Sequence, residues 1–121
     1  MKPKILVVDD SPTIRKFISI ALKIKGYEII SANDGMEALE LLPNDKIDLV
    51  ITDLNMPNID GFNLIARIRS NESYASTPII VMSNLSDSED IERAMQLGAN
   101  SYIIKPFDQN NITKEVAKYL A

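Results

Sequence analysis

Five short apolar segments alternate with five helical patterns along the chain, and this alternation is the feature that most constrains the fold. The apolar segments are Lys4–Val8, Tyr27–Ser31, Ile47–Asp53, Pro78–Ser83 and Ser101–Lys105. Short apolar runs bounded by turn residues are typical of buried strands, and strict alternation with helices indicates parallel strands joined by right-handed crossovers. The sequence therefore predicts an α/β fold of the (βα)5 type, a doubly wound five-stranded parallel sheet with helices on both faces.

The first helix has both of its ends marked in the sequence. Ser11 is expected to cap it, and Pro12 suits its first turn because proline lacks an N–H that would otherwise go unbonded there. Gly26 is expected to end it. Residues at helical spacing predict a buried face made of Ile14, Phe17, Ile18, Ala21 and Leu22.

Two later helices also carry start signals. Ser86 and Glu89 have the spacing of a capping box. The helix that follows them is expected to turn inward Ile91, Ala94 and Met95. Asp108 is expected to cap the last helix, whose buried face would contain Ile112, Val116 and Leu120.

The composition excludes several classes of function. The chain has 121 residues, a length suited to one domain covering residues 1–121, and its net charge of −4 argues against a nucleic-acid partner. The absence of cysteine and histidine excludes a disulfide framework, thiolate or imidazole metal ligands and a Ser-His-Asp triad. No apolar run has the length of a membrane span and no signal peptide precedes the first strand, so a cytoplasmic protein without a membrane partner is expected.

Four of the five predicted strands end in side chains that are able to do chemistry. They are Asp9 with Asp10, Asp53, Ser83 and Lys105. The carboxyl ends of parallel strands share one edge of the sheet, so these residues are expected to converge. Each of them alone is also explained as a helix cap, a turn residue or a solvated charge. Their coincidence across four strands favours a functional site.

Three carboxylates and one ammonium give this predicted site a charge of −2. Crowded carboxylates repel one another unless a cation joins them. Mg²⁺ suits such a site because it takes one or two carboxylates, keeps several waters and accepts phosphate oxygens. With a metal and the lysine present, the site is suited to a phosphoryl group, and aspartate is itself a phosphoryl acceptor in some enzymes.

A larger set of motifs lies on these strand ends in a fixed order. The set is Asp9-Asp10, Asp53-x-x-Met56-Pro57, Asp60-Gly61, Ser83 and Lys105-Pro106-Phe107. It resembles the receiver domain of two-component response regulators, most closely the single-domain, chemotaxis-type members, and the resemblance covers all 121 residues. The resemblance implies a flavodoxin-like sheet with strand order 2-1-3-4-5. It also implies a switch protein rather than an enzyme, one that catalyses only its own phosphotransfer and autodephosphorylation.

The resemblance implies a role for each matching residue. Asp53 would accept the phosphoryl group. Asp10, Asp53 and the backbone carbonyl of Asn55 would bind Mg²⁺, for which Mn²⁺ could substitute. Asp9 would act mainly through a metal-bound water. Lys105 would bind a phosphoryl oxygen and stabilise charge while the phosphoryl group is transferred.

Three further positions would carry the response to phosphorylation. Ser83 would hydrogen-bond the phosphoryl group after transfer, and Tyr102 would turn inward when Ser83 moves. The other interpretation of Tyr102 is a core aromatic on an edge strand. The peptide bond between Lys105 and Pro106 would be cis, a rare form. The residue after Ser83 is usually small in this family, so Asn84 leaves the rates of phosphorylation and dephosphorylation open.

The resemblance also implies protein partners. A histidine kinase or a histidine phosphotransfer protein would supply the phosphoryl group, a downstream target protein would receive the signal, and the chain would be a monomer. The first helix would carry the donor's docking surface, because Ile20 and Ile24 extend its apolar stripe beyond the predicted buried face. A wide core face explains these two isoleucines equally well.

Two other classes of function fit part of the pattern. A haloacid-dehalogenase-like phosphatase also uses a strand-end aspartate and Mg²⁺, but it requires a second aspartate two residues on, where this chain has Asn55. A pseudo-receiver is a binding module that never takes phosphate. It usually lacks one of the acids or the lysine, whereas all of them are present here. Flavin binding suits the fold by analogy only.

Overall fold

The computed structural model describes residues 2–56, 59–84 and 88–120. All five predicted strands and all five predicted helices are present in these ranges. In chain order they are β1 (Lys4–Val8), α1 (Pro12–Ile24), β2 (Glu28–Ala32), α2 (Gly35–Leu41), β3 (Leu49–Asp53), α3 (Gly61–Ser70), β4 (Ile79–Asn84), α4 (Ser88–Leu97), β5 (Ser101–Lys105) and α5 (Gln109–Ala117). A short 3₁₀ helix, Leu42–Asn44, follows α2.

The strands form one parallel sheet in the order β2-β1-β3-β4-β5, which confirms the predicted doubly wound, flavodoxin-like fold. The register brings the carboxyl ends of neighbouring strands together. Asp53 at the end of β3 pairs with Met82 of β4. Lys105 at the end of β5 pairs with Asn84 at the end of β4. Side chains separated by about 50 residues in the chain therefore meet at one edge of the sheet.

The sheet divides the core into two layers. Successive residues of a strand point to opposite faces, and in β1 Leu6 and Val8 face one layer while Ile5 and Val7 face the other. The first layer packs against α2, α3 and α4, and the second packs against α1 and α5. β3 is buried along its whole length, as expected for a central parallel strand. The edge strand β2 is partly exposed.

The predicted helix ends are confirmed where the structure describes them. The Ser11 hydroxyl accepts a hydrogen bond from the Ile14 N–H, and Pro12 begins α1. Gly26 follows α1 with a φ of 93°, a conformation that favours glycine. Asp108 caps α5 by accepting from the Asn111 N–H at 2.8 Å. The predicted capping box that begins at Ser86 lies outside the described residues.

Two residues predicted to lie in helix cores do not. Phe17 is 39% exposed and Met95 is 38% exposed. In α1 the fully buried positions are Ile18, Ala21 and Leu22, and in α4 Ala94 is the buried one. The buried faces of both helices are therefore narrower than the spacing of their apolar residues predicts. Phe17 instead packs at the rim against Phe107, with ring centroids 6.0 Å apart.

The apolar stripe of α1 continues onto exposed surface. Ile20 is 53% exposed and Ile24 is 66% exposed, so the interpretation of these residues as part of a wide core face is wrong. Among the described residues, no helix combines the length and the hydropathy that a membrane span requires.

Candidate functional site

Three aspartates lie together at the carboxyl edge of the sheet. Asp9 directly follows β1, Asp10 follows it, and Asp53 is the last residue of β3. One carboxylate oxygen from each lies within 4.8 Å of the other two. Asp9 and Asp53 are buried, whereas Asp10 is exposed to solvent. The cluster predicted from the strand ends therefore forms, with one exposed acid at its mouth.

Asp9 is the most buried of the three acids, with 1% of its surface exposed. Its Oδ1 atom accepts a hydrogen bond from the Ser11 N–H at 2.8 Å. Its Oδ2 atom is buried and has no hydrogen-bond partner. Burial is the main reason that the pKa of the Asp9 carboxyl is raised, and the negative charge of Asp53 raises it further against the opposing effects of Ser11 and Lys105.

Lys105 brings one positive charge to these acids from the end of β5. Its Nζ atom lies 3.4 Å from Asp53 Oδ2 and 3.6 Å from Asp9 Oδ2. Both distances are longer than ordinary hydrogen bonds. The ammonium therefore sits between two carboxylates as a shared charge, in a position to bind an oxyanion placed beside Asp53.

The donor set of this site fits a hard divalent cation. Three carboxylates and one ammonium leave a net charge of −2, and the buried Asp9 Oδ2 has an unused acceptor. Mg²⁺ takes oxygen ligands and retains waters, so it suits a pocket with one exposed acid and two buried ones. Asn55, the other predicted ligand, lies exposed in the loop two residues after Asp53.

The loop that follows Asp53 returns close to its own starting point. The Gly61 N–H donates to the Leu54 carbonyl at 3.0 Å. A Cβ atom at Gly61 would lie 2.5 Å from the Asp53 carbonyl oxygen, so a side chain there would collide with the backbone of the site. Asp60 then caps α3. The Asp60-Gly61 pair thus allows α3 to begin directly against the end of β3.

The remaining predicted site residues lie on β4, β5 and the turn after β5. Ser83 is buried near the end of β4, and Asn84 is exposed beside it. The Lys105–Pro106 peptide bond is cis. Tyr102 points outward with 46% of its surface exposed, so its interpretation as a core aromatic is wrong.

One contact of the site involves a residue that the sequence analysis did not single out. Arg15, in the first turn and a half of α1, donates from Nη1 to the backbone carbonyl of Asp9 at 2.6 Å. The signal that could have found it is its position four residues after the Ser11 cap, because one helical turn returns the chain to the start of the helix.

An acidic cluster with one lysine, on the carboxyl edge of a parallel sheet ordered 2-1-3-4-5, is the arrangement of a two-component signalling domain. The chain belongs to the family of response regulator receiver domains, whose model matches residues 5–117. Receiver domains accept a phosphoryl group from histidine kinases and signal to downstream targets, as switch domains rather than conventional enzymes. This membership excludes the interpretation of the chain as a haloacid-dehalogenase-like phosphatase.

Relatives of this chain include both longer proteins and single domains. It is 39% identical over 119 residues to the probable transcriptional regulator ycf27 of Porphyridium aerugineum, covering 98% of this chain and 48% of that protein. The chain spans less than half the length of the curated relatives it matches.

Among solved structures, the chemotaxis response regulator CheY4 of Vibrio cholerae has a TM-score of 0.93 and 33% identity, covering 98% of this chain and 99% of that one. A response regulator receiver protein of Pseudomonas putida has a TM-score of 0.90 and 36% identity, covering 98% of each chain. This chain therefore matches both of these solved chains over nearly their whole length.

Proposed function

We propose that this chain is a phosphorylation-activated signalling switch in which Asp53 accepts a phosphoryl group in a Mg²⁺-dependent reaction. The observation that carries the proposal is the position of the Asp53 carboxylate. It lies at the end of the central strand, 3.4 Å from the Lys105 ammonium and within 4.8 Å of the carboxylates of Asp9 and Asp10. A nucleophile, a cation for the transferred oxygens and a metal-binding acid cluster are therefore adjacent.

In the proposed transfer, an oxygen of the Asp53 carboxylate attacks the phosphorus of a phosphohistidine on the donor protein. The O–P bond forms while the P–N bond breaks, the electron pair of that bond passes to the imidazole, and the imidazole takes up a proton from solvent. Lys105 stabilises the negative charge on the phosphoryl oxygens as they approach Asp53. The product is an aspartyl phosphate.

The metal would be held by Asp10, Asp53 and the Asn55 carbonyl, with Asp9 acting through a metal-bound water. When bound, Mg²⁺ or Mn²⁺ supplies positive charge that offsets the acid cluster and the phosphoryl oxygens. The Asp9 Oδ2 atom supports this assignment, because it is buried, makes no hydrogen bond and has the Lys105 ammonium only at 3.6 Å.

The phosphoryl group is lost by hydrolysis. Water attacks phosphorus, the bond to the Asp53 oxygen breaks, and inorganic phosphate leaves the regenerated carboxylate. Asn84 is exposed at the end of β4 and pairs in register with Lys105, which supports a role in which its amide would hydrogen-bond the phosphoryl group or narrow the approach of water. It is therefore the residue proposed to set the rate of this autodephosphorylation.

The signal is proposed to pass through Ser83 and Tyr102. A phosphoryl group on Asp53 offers charge-assisted acceptors to the Ser83 hydroxyl, which favours one position of the β4–α4 loop. The exposure of Tyr102 is consistent with this switch, since only a ring that starts outside can turn inward when Ser83 moves. The ring would then change its surroundings without unfolding the strand.

The partners are proposed to be a histidine kinase or a histidine phosphotransfer protein as donor and a protein target as receiver of the signal. The exposed apolar stripe of α1 supports donor docking there, because the helix begins beside Asp9 and Asp10. The likeness to CheY4 supports a chemotaxis-type role, and the protein is proposed to be cytoplasmic and monomeric. Control of transcription is the second candidate, favoured by the relative from Porphyridium aerugineum.

The proposal is tested by incubating the protein with acetyl phosphate and Mg²⁺ and measuring its intact mass. Wild type should gain one phosphoryl group, and Asp53→Asn should gain none. Glu40→Gln, which removes an exposed acid on α2, is the matched control and should label like wild type. Labelling of Asp53→Asn, or undiminished labelling in excess chelator, would contradict the proposal. A wild type that binds metal but never labels would instead be a pseudo-receiver.

A further inference from the structure

The corner between β1 and α1 is held from several sides. The Asp9 N–H donates to the Ala32 carbonyl at 3.2 Å, and Asp9 Oδ1 accepts from the Ser11 N–H at 2.8 Å. The Asp9 carbonyl accepts from Arg15 Nη1 at 2.6 Å. Asp9 is thereby fixed through its amide, its side chain and its carbonyl, and the last of these bonds comes from a charged side chain.

Asp10 depends on this corner for its position. Its side chain is exposed, and within residues 2–56, 59–84 and 88–120 it makes no hydrogen bond or ion pair. The peptide unit between Asp9 and Asp10 is planar, so a bond that fixes the Asp9 carbonyl also fixes the direction in which Asp10 leaves the strand. The exposed acid at the mouth of the site is therefore held in place through its backbone.

The stability of α1 offers no reason for a cation at position 15. The amino-terminal end of a helix carries partial positive charge, which disfavours basic residues in the first turns. α1 has no acidic residue in its first turn to offset Arg15. The contact that Arg15 makes is with the carbonyl of Asp9, three residues before the helix begins. The contact of Arg15 therefore bears on the corner between β1 and α1.

We infer that Arg15 is a positioning residue for the divalent-cation site, acting on Asp10 through the backbone carbonyl of Asp9. The inference rests on the proposed function, because it assumes that the acid cluster binds a metal. It assigns Arg15 no contact with the metal or the phosphoryl group. It makes the affinity of the site for the cation depend on a hydrogen bond outside the ligand set.

This inference and a simple charge effect predict changes of opposite sign. Replacing Arg15 by alanine removes a positive charge near three carboxylates, and Coulomb's law alone predicts tighter cation binding. Loss of the bond to the Asp9 carbonyl lets Asp10 move away from its position as a ligand, which predicts weaker binding. The direction of the change therefore separates the two explanations.

The experiment titrates Mn²⁺ into metal-free protein and measures free Mn²⁺ by electron paramagnetic resonance, followed by competition with Mg²⁺. We expect Arg15→Ala to weaken binding about tenfold, the lower range for loss of a supporting contact at a metal site. Arg15→Lys should also weaken it, because lysine keeps the charge but lacks the planar guanidinium. Lys16→Ala is the matched control: it removes the same charge from the next, exposed position and should leave binding unchanged or slightly tighter.

Each outcome decides between the explanations. Equal or tighter binding by Arg15→Ala, or unchanged binding by Arg15→Lys, overturns the inference, and the lysine variant alone is decisive if the alanine variant fails to fold. A drop in the melting temperature of the metal-free protein with unchanged affinity would assign Arg15 a structural role only, and would also overturn it. If wild type binds neither cation, the metal part of the proposed function is overturned as well. If wild type binds the cation, the proposed function is unaffected whether the variants lose affinity or keep it, and the result bears on Arg15 alone.

Discussion

The two edges of the parallel sheet treat their charged groups in opposite ways. At the amino edge, the Lys4 N–H donates to Asp48 at 2.8 Å and the Lys4 ammonium binds Asp45 at 3.1 Å. Arg69, whose pKa is lowered by burial, uses its guanidinium at the same edge to donate four hydrogen bonds. The acceptors are Gly98 O, Ala75 O, Thr77 O and Asn100 Oδ1, at 2.7–3.0 Å.

The carboxyl edge has the same kinds of side chain but leaves them poorly satisfied. The Lys105 ammonium approaches two carboxylates at 3.4 and 3.6 Å without a short bond to either. One oxygen of Asp9 is buried with no hydrogen-bond partner. Crowded negative charge of this kind lowers the stability of the fold. A bound cation and a bound phosphoryl group would supply the partners that these side chains lack.

The unsatisfied charged groups identify the functional edge of the sheet better than the position of a cavity does. A cavity of about 660 Å³ opens at the amino edge, lined by Lys2, Pro3, Lys4, Glu28, Lys46, Asp48, Tyr119 and Leu120. Two of its charged side chains already have partners: the Lys4 ammonium pairs with Asp45, and the Asp48 carboxylate accepts from the Lys4 N–H. Buried polar atoms without partners are uncommon in proteins and therefore need an explanation. In the part of the chain that the structure describes, the one buried side-chain atom of this kind is Asp9 Oδ2, in the acid cluster.

The largest effect is expected from removing the shared cation of the carboxyl edge. Lys105→Ala should slow labelling by acetyl phosphate by about 10²–10³-fold, the range for losing one charge-stabilising group. Lys105→Arg should also lose most of the response to phosphorylation, because a guanidinium differs in shape and hydration from an ammonium. The measurement is the rate of mass gain, and a far-ultraviolet circular dichroism spectrum verifies that the variants are folded.

Lys114→Ala is the matched control, because it removes a lysine from the exposed face of α5. It should label at the wild-type rate. A fully responsive Lys105→Ala would show that this lysine is an ordinary surface charge. It would also remove the main evidence that the loose ion pairs of the carboxyl edge have a chemical purpose.

The next largest effect is expected at the amino edge, and on stability rather than chemistry. Arg69→Met keeps an unbranched apolar side chain but removes the guanidinium. The carbonyls of Gly98, Ala75 and Thr77 lose that donor, whereas Asn100 Oδ1 keeps its bond from the Ile79 N–H. We expect a loss of about 2–4 kcal/mol in the free energy of unfolding, measured by urea denaturation. Labelling by acetyl phosphate should be unchanged under conditions where the variant is folded.

The neighbouring arginine provides the control for this second prediction. Arg67 is exposed on the same helix, and Arg67→Met should change stability by less than about 0.5 kcal/mol. Equal losses from the two substitutions would mean that the Arg69 network contributes no more than an ordinary surface residue. The amino edge would then be less well satisfied than its geometry indicates.

Local patterns and the geometry of parallel sheets explain which features could be predicted from the sequence. The alternation of strands and helices and the convergence of Asp9, Asp10, Asp53 and Lys105 follow from periodicity and from the geometry of parallel sheets. These are local patterns joined by one general rule of topology. They are sufficient for the (βα)5 parallel sheet and the acid cluster, whereas the strand order 2-1-3-4-5 is implied by the resemblance to receiver domains.

What the sequence did not predict depends on contacts between distant segments. Arg15 and Arg69 bond mainly to backbone carbonyls, and every residue has one, so no pattern of residue types reveals the pairing. Phe17 and Met95 have core spacing, but their burial depends on what lies opposite them. Phe107 reaches Phe17 only at the rim, and Ala94 fills the inward position beside Met95.

A third prediction compares the same substitution at both edges. Burial raises the pKa of Asp9 in the folded protein above its unfolded value. The charged form is thus disfavoured by folding, and wild type loses stability as pH rises from the unfolded pKa through the folded one. Asp9→Asn keeps an acceptor for the Ser11 N–H but never ionises. In metal-free protein at pH 7 it should therefore be more stable than wild type, by about 1 kcal/mol.

Asp48→Asn at the amino edge should change stability in the opposite direction, because it weakens the bond to the Lys4 N–H. Melting curves between pH 3 and pH 8 measure both variants against wild type. The advantage of Asp9→Asn should vanish at the acid end, where Asp9 is protonated in both states, and added Mg²⁺ should favour wild type. A less stable Asp9→Asn at neutral pH would show that the acid cluster is already well satisfied without metal.

The smallest effect is expected on the surface that leads from the carboxyl edge along α1. Ile20 and Ile24 lie about 12 and 18 Å along the helix from its start at Pro12, taking a rise of 1.5 Å per residue. Both are more than half exposed, so a lysine at either position should leave the melting temperature nearly unchanged.

A histidine-containing donor must bring its phosphoryl group to Asp53, and the apolar surface nearer that edge should contribute more to docking. We expect Ile20→Lys to slow phosphotransfer from the cognate donor several-fold, Ile24→Lys to slow it less, and both to label normally with acetyl phosphate. Met36→Lys, which places the same charge on exposed α2, should affect neither donor. Equal losses with both donors would assign the isoleucines to the fold. A larger effect at Ile24 would place the docking surface toward the amino edge, away from the chemistry.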